Sequence, residues 1–297
     1  MAGGQERILR RRIKSVQATR KITKAMELIA ASQISRSQAR IIANRPYRVG
    51  MRRIVIEAAL GDPAGAKKLL AIPEHVDEAI VLVITGDRGL SGAYNSSVLR
   101  AGERLVKKLR SEGTSVRLFA VGKKAAGFFR FRGMEVEQSF VGFADRPSFG
   151  DARSVAGTVA APYVDGEAQQ VLLVSTRFVS SGSQVVEVEQ LLPLSMPDVV
   201  VDDSPKPLKG YTEFEPEVEK LLFYLAPRAL ESEIFSALLE GAASFHVSQQ
   251  RAMAAATDNA DDLGQNLSRI MNRARQDSIT TEIMEIVGGA EALRSGK

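Results

Sequence analysis

The chain has 297 residues, a net charge of +5, and 44% hydrophobic and 25% charged side chains, enough for one large folded domain or two modest ones. It contains no cysteine, which excludes disulfides, thiolate metal sites, thiol nucleophiles and redox switching, and fits the cytoplasm. No apolar run approaches the ~20 residues needed to cross a bilayer, and 6% aromatics without tryptophan is lean for a ligand cleft.

Residues 5–44 hold neither Gly nor Pro, and apolar side chains recur at helical spacing. Leu9, Ile13 and Val16 step by four and three, and Ile22, Met26 and Ile29 repeat the step, which predicts a stripe facing another helix. Ala25, Ala30, Ala31 and Ser32 are small enough for close approach. Arg7, Arg10, Arg11, Arg12, Lys14, Arg20, Lys21 and Lys24 stand against a single early acid, Glu6. With no apolar h-region, this start reads as a mature N-terminus and not a secretory signal. A basic helix suits nucleic acid, an anionic membrane surface or acidic protein loops, with a solvated face as the plain alternative. Pro46 is expected to kink or interrupt the helix, residues 47–60 to continue it, and Gly61-Asp62-Pro63 to stop it.

The period then changes. Residues 79–84 read as a buried strand, followed by a Gly-rich turn and a helix over 96–110. Residues 115–121 predict a second strand, 123–131 a short helix, 151–163 another helix, 171–174 a third strand and 185–189 a fourth with one wet face. Strands alternating with helices indicate an open, partly parallel sheet. Residues 192–217 contain five prolines and read as an exposed linker.

From residue 216 the helical period returns, with a break expected at Pro227. Met253, Ala256, Ala260, Leu263, Leu267, Ile270 and Ala274 step three, four, three, four, three, four, the mark of a left-handed coiled coil. Gly241 and Gly264 each weaken a helix by about 1 kcal/mol, too little to end it. The economical solution is an α/β fold class in which residues 1–60 and 216–297 pair as a long antiparallel coiled coil and residues 61–215 form an inserted Rossmann-like domain. The C-terminal helix, being longer, would overshoot its partner. Pairing between copies, or a folded-back bundle, is the alternative.

Constellations for catalysis are thin. Gly86-Asp87-Arg88-Gly89-Leu90-Ser91-Gly92 sits where phosphate loops sit, but its G-x-x-G-x-x-G spacing matches neither the dinucleotide fingerprint nor the Walker loop. Gly122-Lys123 fails as a Walker end because Lys124 follows. A tight turn presenting Asp87 and Arg88 to a neighbour is the expectation. His75 and His246 lie in different elements, and Asp258, Asp261 and Asp262 read as solvated helix acids. The end of the chain says more: Ile283, Met284, Ile286, Val287 and Leu293 form an apolar tip that calls for a partner to cover it.

Four motifs, in order along the chain, resemble the γ subunits of F-type ATP synthases. They are residues 20–32 (RKITKAMELIAAS), residues 87–95 around DRGLSG, residues 254–259 with 272–276, and residues 279–290 (ITTEIMEIVGGA). The resemblance implies a rotor with no catalytic residue, metal or cofactor of its own. Its paired helices would pass through a ring of three α and three β subunits, and its foot would stand with ε on the membrane c-ring, peripheral to the cytoplasmic side of the cell membrane. Nucleic acid is not among the implied partners. Carried over by motif, Arg20, Lys21, Lys24, Met26, Asp87, Arg88, Arg275, Gln276, Thr280 and Glu282 are expected to contact the α/β stator, and Ile283, Ile286, Val287 and Leu293 to form the bearing tip. The chain departs from the pattern at Ser91, where the family often has Cys, and at Gln249-Gln250, in place of Arg-Met, with Arg251 the neighbouring cation.

Overall fold

The computed structural model describes residues 2–61, 73, 75–193, 215 and 217–295; the side chains of 2–4, 61 and 292–295 fall outside the description. The expected linker over 192–217 therefore lies mostly outside the described residues. Internal packing divides the chain into two units, Met1–Ala30 with Gln250–Lys297, and Ala31–Gln249.

The second unit is built on a five-stranded sheet in the order β3-β2-β1-β4-β5. Its elements are β1 (Glu78–Ile84), α2 (Tyr94–Ser111), β2 (Ser115–Val121), α3 (Lys123–Phe131), β3 (Gln138–Phe140), α4 (Phe149–Val164), β4 (Gln170–Phe178) and β5 (Gln184–Leu192), with parts of α1 (Ala2–Gly61) and α5 (Val218–Ser295). The first four strands are parallel, and β5 returns antiparallel on β4. Strand β1 reads as an unbroken apolar run because both of its faces are buried. Ile80, Leu82 and Ile84 point to a core shared with α4 and with Ile234 and Leu238 of α5. Ala79, Val81 and Val83 point to the opposite core, closed by Val98 and Val106 of α2 and Phe129 of α3. The short β3 has no counterpart in the sequence reading, since three residues carry no period.

Both helices continue through their prolines, so neither the break expected at Pro227 nor an interruption at Pro46 occurs. A proline inside a helix costs about 3 kcal/mol, and cross-helix packing offsets it. Val55, Ala58 and Ala59 of α1 pack on Val218, Leu222 and Ala229 of α5. Two residues past Pro46, the Arg48 guanidinium donates to Glu233 Oε2 at 2.7 Å and to Ser236 Oγ at 3.1 Å, and contacts Glu240 Oε1 at 3.3 Å. The other Glu240 oxygen accepts the Phe178 amide at the end of β4, at 3.0 Å. One arginine thus ties α1, α5 and the sheet together. Burial opposes its charge, yet the carboxylates of Glu233 and Glu240 more than compensate and raise its pKa.

In a sheet of this order the chain leaves β1 in one direction for β2 and later crosses to β4 on its other side. The crevice at that switch point is where open α/β sheets take ligands. Here α5 fills it. A Cβ on Gly86, at the end of β1, would stand 3.0 Å from the Phe245 ring, and one on Gly241 would stand 3.2 Å from the Tyr94 hydroxyl. Phe245 and Tyr94 meet edge to face, with centroids 5.7 Å apart. Phe245 is 2% exposed. Truncating it should leave a cavity costing about 3–5 kcal/mol. Urea denaturation of Phe245→Ala is expected to show that loss, and a cost under about 1 kcal/mol would mean the ring is not the plug.

Candidate interaction surface

The first unit is an antiparallel helix pair. Its seam is the predicted one at Leu9, Ile13, Val16, Met253, Ala260 and Leu267, and departs from it elsewhere. Ile22 and Ile29, assigned to the seam from spacing, are each 61% exposed, and Leu263 and Ile270 are 48% and 45% exposed. Where the prediction fails, the side chains that face the partner helix are the next residues along, Thr23 and Ala30 on α1 and Gly264 on α5, and Thr257 joins the predicted Leu9, Ile13, Met253 and Ala260. At Ile22, Ile29, Leu263 and Ile270 an apolar-only template falls one residue off register, because the seam there uses small or polar residues such as Thr23, Ala30 and Gly264 where the template looked for isoleucine and leucine.

Small seam residues let the backbones approach. The Cβ that Gly264 lacks would lie 3.8 Å from a Val16 methyl. Seven residues along each chain, the Thr23 and Thr257 hydroxyls meet at 2.8 Å, both buried. Their two protons suffice: one bridges the oxygens, and the other returns to a helix carbonyl, Arg20 O or Met253 O. Beside this pair Arg20 is ion-paired with Asp261. Lys24 pairs with Glu27 at 3.0 Å, Met26 is half-buried, and Lys21 has no acidic partner among the described residues.

Extending the Val16–Gly264 register brings the start of α1 level with about Ser278. Every described side chain of α5 from Ile279 to Glu291 is exposed. Ile283, Ile286 and Val287 are 54%, 71% and 56% exposed, on a stretch of helix with no companion among the described residues; Leu293 belongs to the same helix, but its side chain lies outside the description. Arg275 and Gln276 project from the last paired turns, and Arg275 has no ion-pair partner among the described residues. The Thr280 hydroxyl donates to Gln276 O at 3.0 Å, and Glu282 accepts from Ser278 at 3.5 Å.

Asp87 and Arg88 belong to the other unit. Both oxygens of Asp87 are engaged: Oδ1 accepts the Lys123 amide at 3.0 Å, and Oδ2 accepts the Gly142 and Ala144 amides at 2.9 and 3.2 Å. Asp87 therefore clamps the start of α3 and the segment after β3. The Asn95 amide spans the same turn, accepting from Gly86 N and donating to Arg88 O and to the buried Ser91 hydroxyl. What projects is Arg88, 3.1 Å from Asp145, and Leu90, which is 62% exposed on a left-handed backbone at φ 61°. Among the described residues no group of acids and histidines is placed to hold a metal, and no helix is long and apolar enough to span a membrane.

His246 was not singled out by its sequence context. It is buried, its Nε2 lies 3.3 Å from the Asp145 carbonyl and so must donate, and burial pulls its pKa below the usual value. The Arg88 charge adds to that pull, while the Asp145 carbonyl and carboxylate oppose it.

A model of the family described as ATP synthase matches residues 5–293. The chain is 46% identical to the ATP synthase gamma chain of Parafrankia sp. over 99% of both sequences, and 45% identical to that of Kineococcus radiotolerans over 98% of both. Among solved structures it is similar to a chain of the Tetrahymena thermophila mitochondrial ATP synthase central stalk and c-ring, at TM-score 0.62 and 26% identity, covering 79% of this chain and 99% of that one. A chain of the Euglena gracilis mitochondrial enzyme shares the fold, at TM-score 0.64 and 18% identity, over 99% and 96% of the two.

Two outcomes are expected of the isolated chain. Leu267→Glu, in the seam, should lower the melting temperature by several degrees, whereas Ile286→Glu should leave it within about a degree; equal losses would place the tip against the rest of the chain. Because folded His246 resists protonation, its contribution to stability is complete above the ordinary histidine value of about 6.5 and is lost as pH falls below it. Urea midpoints between pH 7.5 and 5.5 should fall more steeply for the wild type than for His246→Gln, and parallel curves would remove His246 as the cause.

Proposed function

The chain belongs to the ATP synthase gamma-chain family, and on that premise we propose that it is the central-stalk rotor that carries rotation of a membrane c-ring to an α3β3 hexamer. It is a non-catalytic subunit of the complex, the catalytic sites being on the β subunits. The observation that carries the rotor reading is the end of α5, where every described side chain from Ile279 to Glu291 is exposed and no described residue covers Ile283, Ile286 or Val287. A helix end of that kind has few directional bonds to break on turning, which suits a bearing inside a collar of other subunits.

The residue roles follow from position. Lys21, Met26 and Arg275 are exposed or half-buried on the helix pair, and neither cation has an ion-pair partner among the described residues. They are available to acidic and apolar groups of α and β, with Arg20, Lys24, Gln276, Thr280 and Glu282 beside them. Arg88 and Leu90 are the outward groups of the Asp87 turn and extend the stator contact, while Asp87 acts by holding that turn. The ε subunit and the c-ring are the further partners, and the complex places the chain peripherally at the cytoplasmic side of the membrane. Differential contact is the physical requirement, because a shaft shifts the states of three equivalent subunits only if it touches them unequally.

The alternative of a basic nucleic-acid-binding coiled coil predicts binding that weakens steeply with salt; the rotor predicts co-purification with α and β. In the assembled complex, Arg275→Ala is expected to lower ATP turnover severalfold with its incorporation unchanged. Full turnover by a fully incorporated variant would strike Arg275 from the contacts.

A further inference from the structure

Helix α2 carries an uncompensated row of charge. Its buried side chains Val98, Leu99, Val106 and Leu109 close one face of the sheet together with Phe129 of α3, while α4 and α5 cover the other. Its outer side is left to Arg100, Arg104, Lys107, Lys108 and Arg110, all exposed. Glu103, the one acid of α2, is already shared by Lys107 at 2.8 Å and Arg132 at 3.4 Å. Arg100, Arg104 and Lys108 follow at steps of four, so like charges stack along the helix and repel. Lys108 reaches Glu112 only at 3.9 Å, and Arg100, Arg104 and Arg110 have no ion-pair partner among the described residues. The negative end of the helix dipole accounts for Lys108 and Arg110 in the last turn. It leaves Arg100 and Arg104 without a structural role.

The row descends toward a particular end of the fold. Gln38 of α1 donates to Ser181, in the turn before β5, at 2.8 Å, and further along Arg48 and Arg52 lie within electrostatic reach of Glu189. Helix α1 thus runs beside β5 in the same direction. Its last turns, packed on Val218 and Leu222 of α5, reach the end of the sheet where β5 stops and β1 begins. Helix α2 ends there too, since Ser115 opens β2 opposite Glu78 just after it. That end also holds the start of α5, opposite its bare tip.

We propose that the Arg100–Arg110 row is a landing face for the anionic headgroups of the bilayer around the c-ring. The inference rests on the rotor reading, which encloses the tip of α5 and so turns the start of α5, and the lower end of the row with it, toward the membrane. The composition of the row favours lipid over protein. A protein interface is centred on apolar and aromatic side chains, and among the described residues none of the exposed large apolar side chains lies on α2. Anionic headgroups attract cations near their surface without offering any of them a fixed partner. The domain can therefore adhere while it turns, whereas a stationary acidic subunit on the same row would act as a brake.

Under the rotor reading, assembly encloses the basic start of α1, so the test uses the complex with α and β. Its binding to vesicles of phosphatidylcholine with about 30% phosphatidylglycerol is expected to fall about tenfold in the double variant Arg104→Gln/Lys108→Gln. The matched variant Lys123→Gln/Lys124→Gln removes the same charge at the opposite end of the same sheet face. It should lose less than about threefold. Because the row repels itself, the Arg104→Gln/Lys108→Gln chain should melt no lower than the unsubstituted chain, which separates lost binding from lost folding. Equal losses in the two variants, or full binding by Arg104→Gln/Lys108→Gln, would overturn the assignment. Release from the vesicles by millimolar glycerol phosphate would give the row to a soluble phosphate, and preference for poly-glutamate over the vesicles would give it to an acidic protein; either result overturns it as well. A chain that does not assemble with α and β sinks the rotor reading instead.

Discussion

The close approach of α1 and α5 in the first unit is the constraint from which its other features follow. Thr23, Ala30, Thr257, Ala260 and Gly264 put little side-chain volume between the backbones, and the threonine pair supplies a bond that holds in one register only. A seam made this narrow cannot also accommodate Ile22, Ile29, Leu263 and Ile270, so those side chains turn outward. The buried hydroxyls lose the stabilisation that leucines would bring and gain specificity, because a slip of one turn would leave each without its partner. The second unit solves the same problem with charge: Arg48, between two helices and a strand end, is satisfied in one alignment of Glu233, Ser236 and Glu240.

Much of the architecture could be read from periodicity. The strand over 115–121 and the helix over 123–131 coincide with their predicted limits, and the doubly buried β1 announced itself as an apolar run. The fold class follows from that alternation of strand and helix between two helical ends. The sequence misled wherever burial and hydrophobicity part company. Thr23 and Gly264 are interior residues that look like surface, and Ile22 and Leu263 are surface residues that look like interior. Pro227 looked like a break, and Pro46 like a kink or an interruption, because their local cost is visible in the sequence while the packing that offsets it is not. Of the surface, the bare end of α5 was foreseen from the difference in helix lengths. The engagement of both Asp87 oxygens was not, since it depends on amides 36 to 57 residues away.

The domain carries the outline of a ligand-binding sheet without the vacancy. Gly86, where a phosphate loop would use glycine to admit a pyrophosphate, uses it to admit Phe245, and Gly241 serves the reverse contact against Tyr94. A topology associated with binding has become a socket for the chain's own helix, which attaches the sheet to α5 at the mouth where a nucleotide would otherwise enter. The Asp87 clamp and Asn95 then hold the emptied loop in shape, with Arg88 and Leu90 as its outer edge.

The solitary end of α5 has a thermodynamic implication for how a complex is put together. Residues 279–290 include three isoleucines, two threonines, a valine and two adjacent glycines, each intrinsically poorer than alanine in a helix by roughly 0.4–1 kcal/mol. A stretch of that composition with no companion helix is marginal in water. Enclosure by a partner therefore adds stability that this stretch of helix does not draw from its own composition. Part of the affinity of any enclosing sleeve is consumed in ordering the thread it receives.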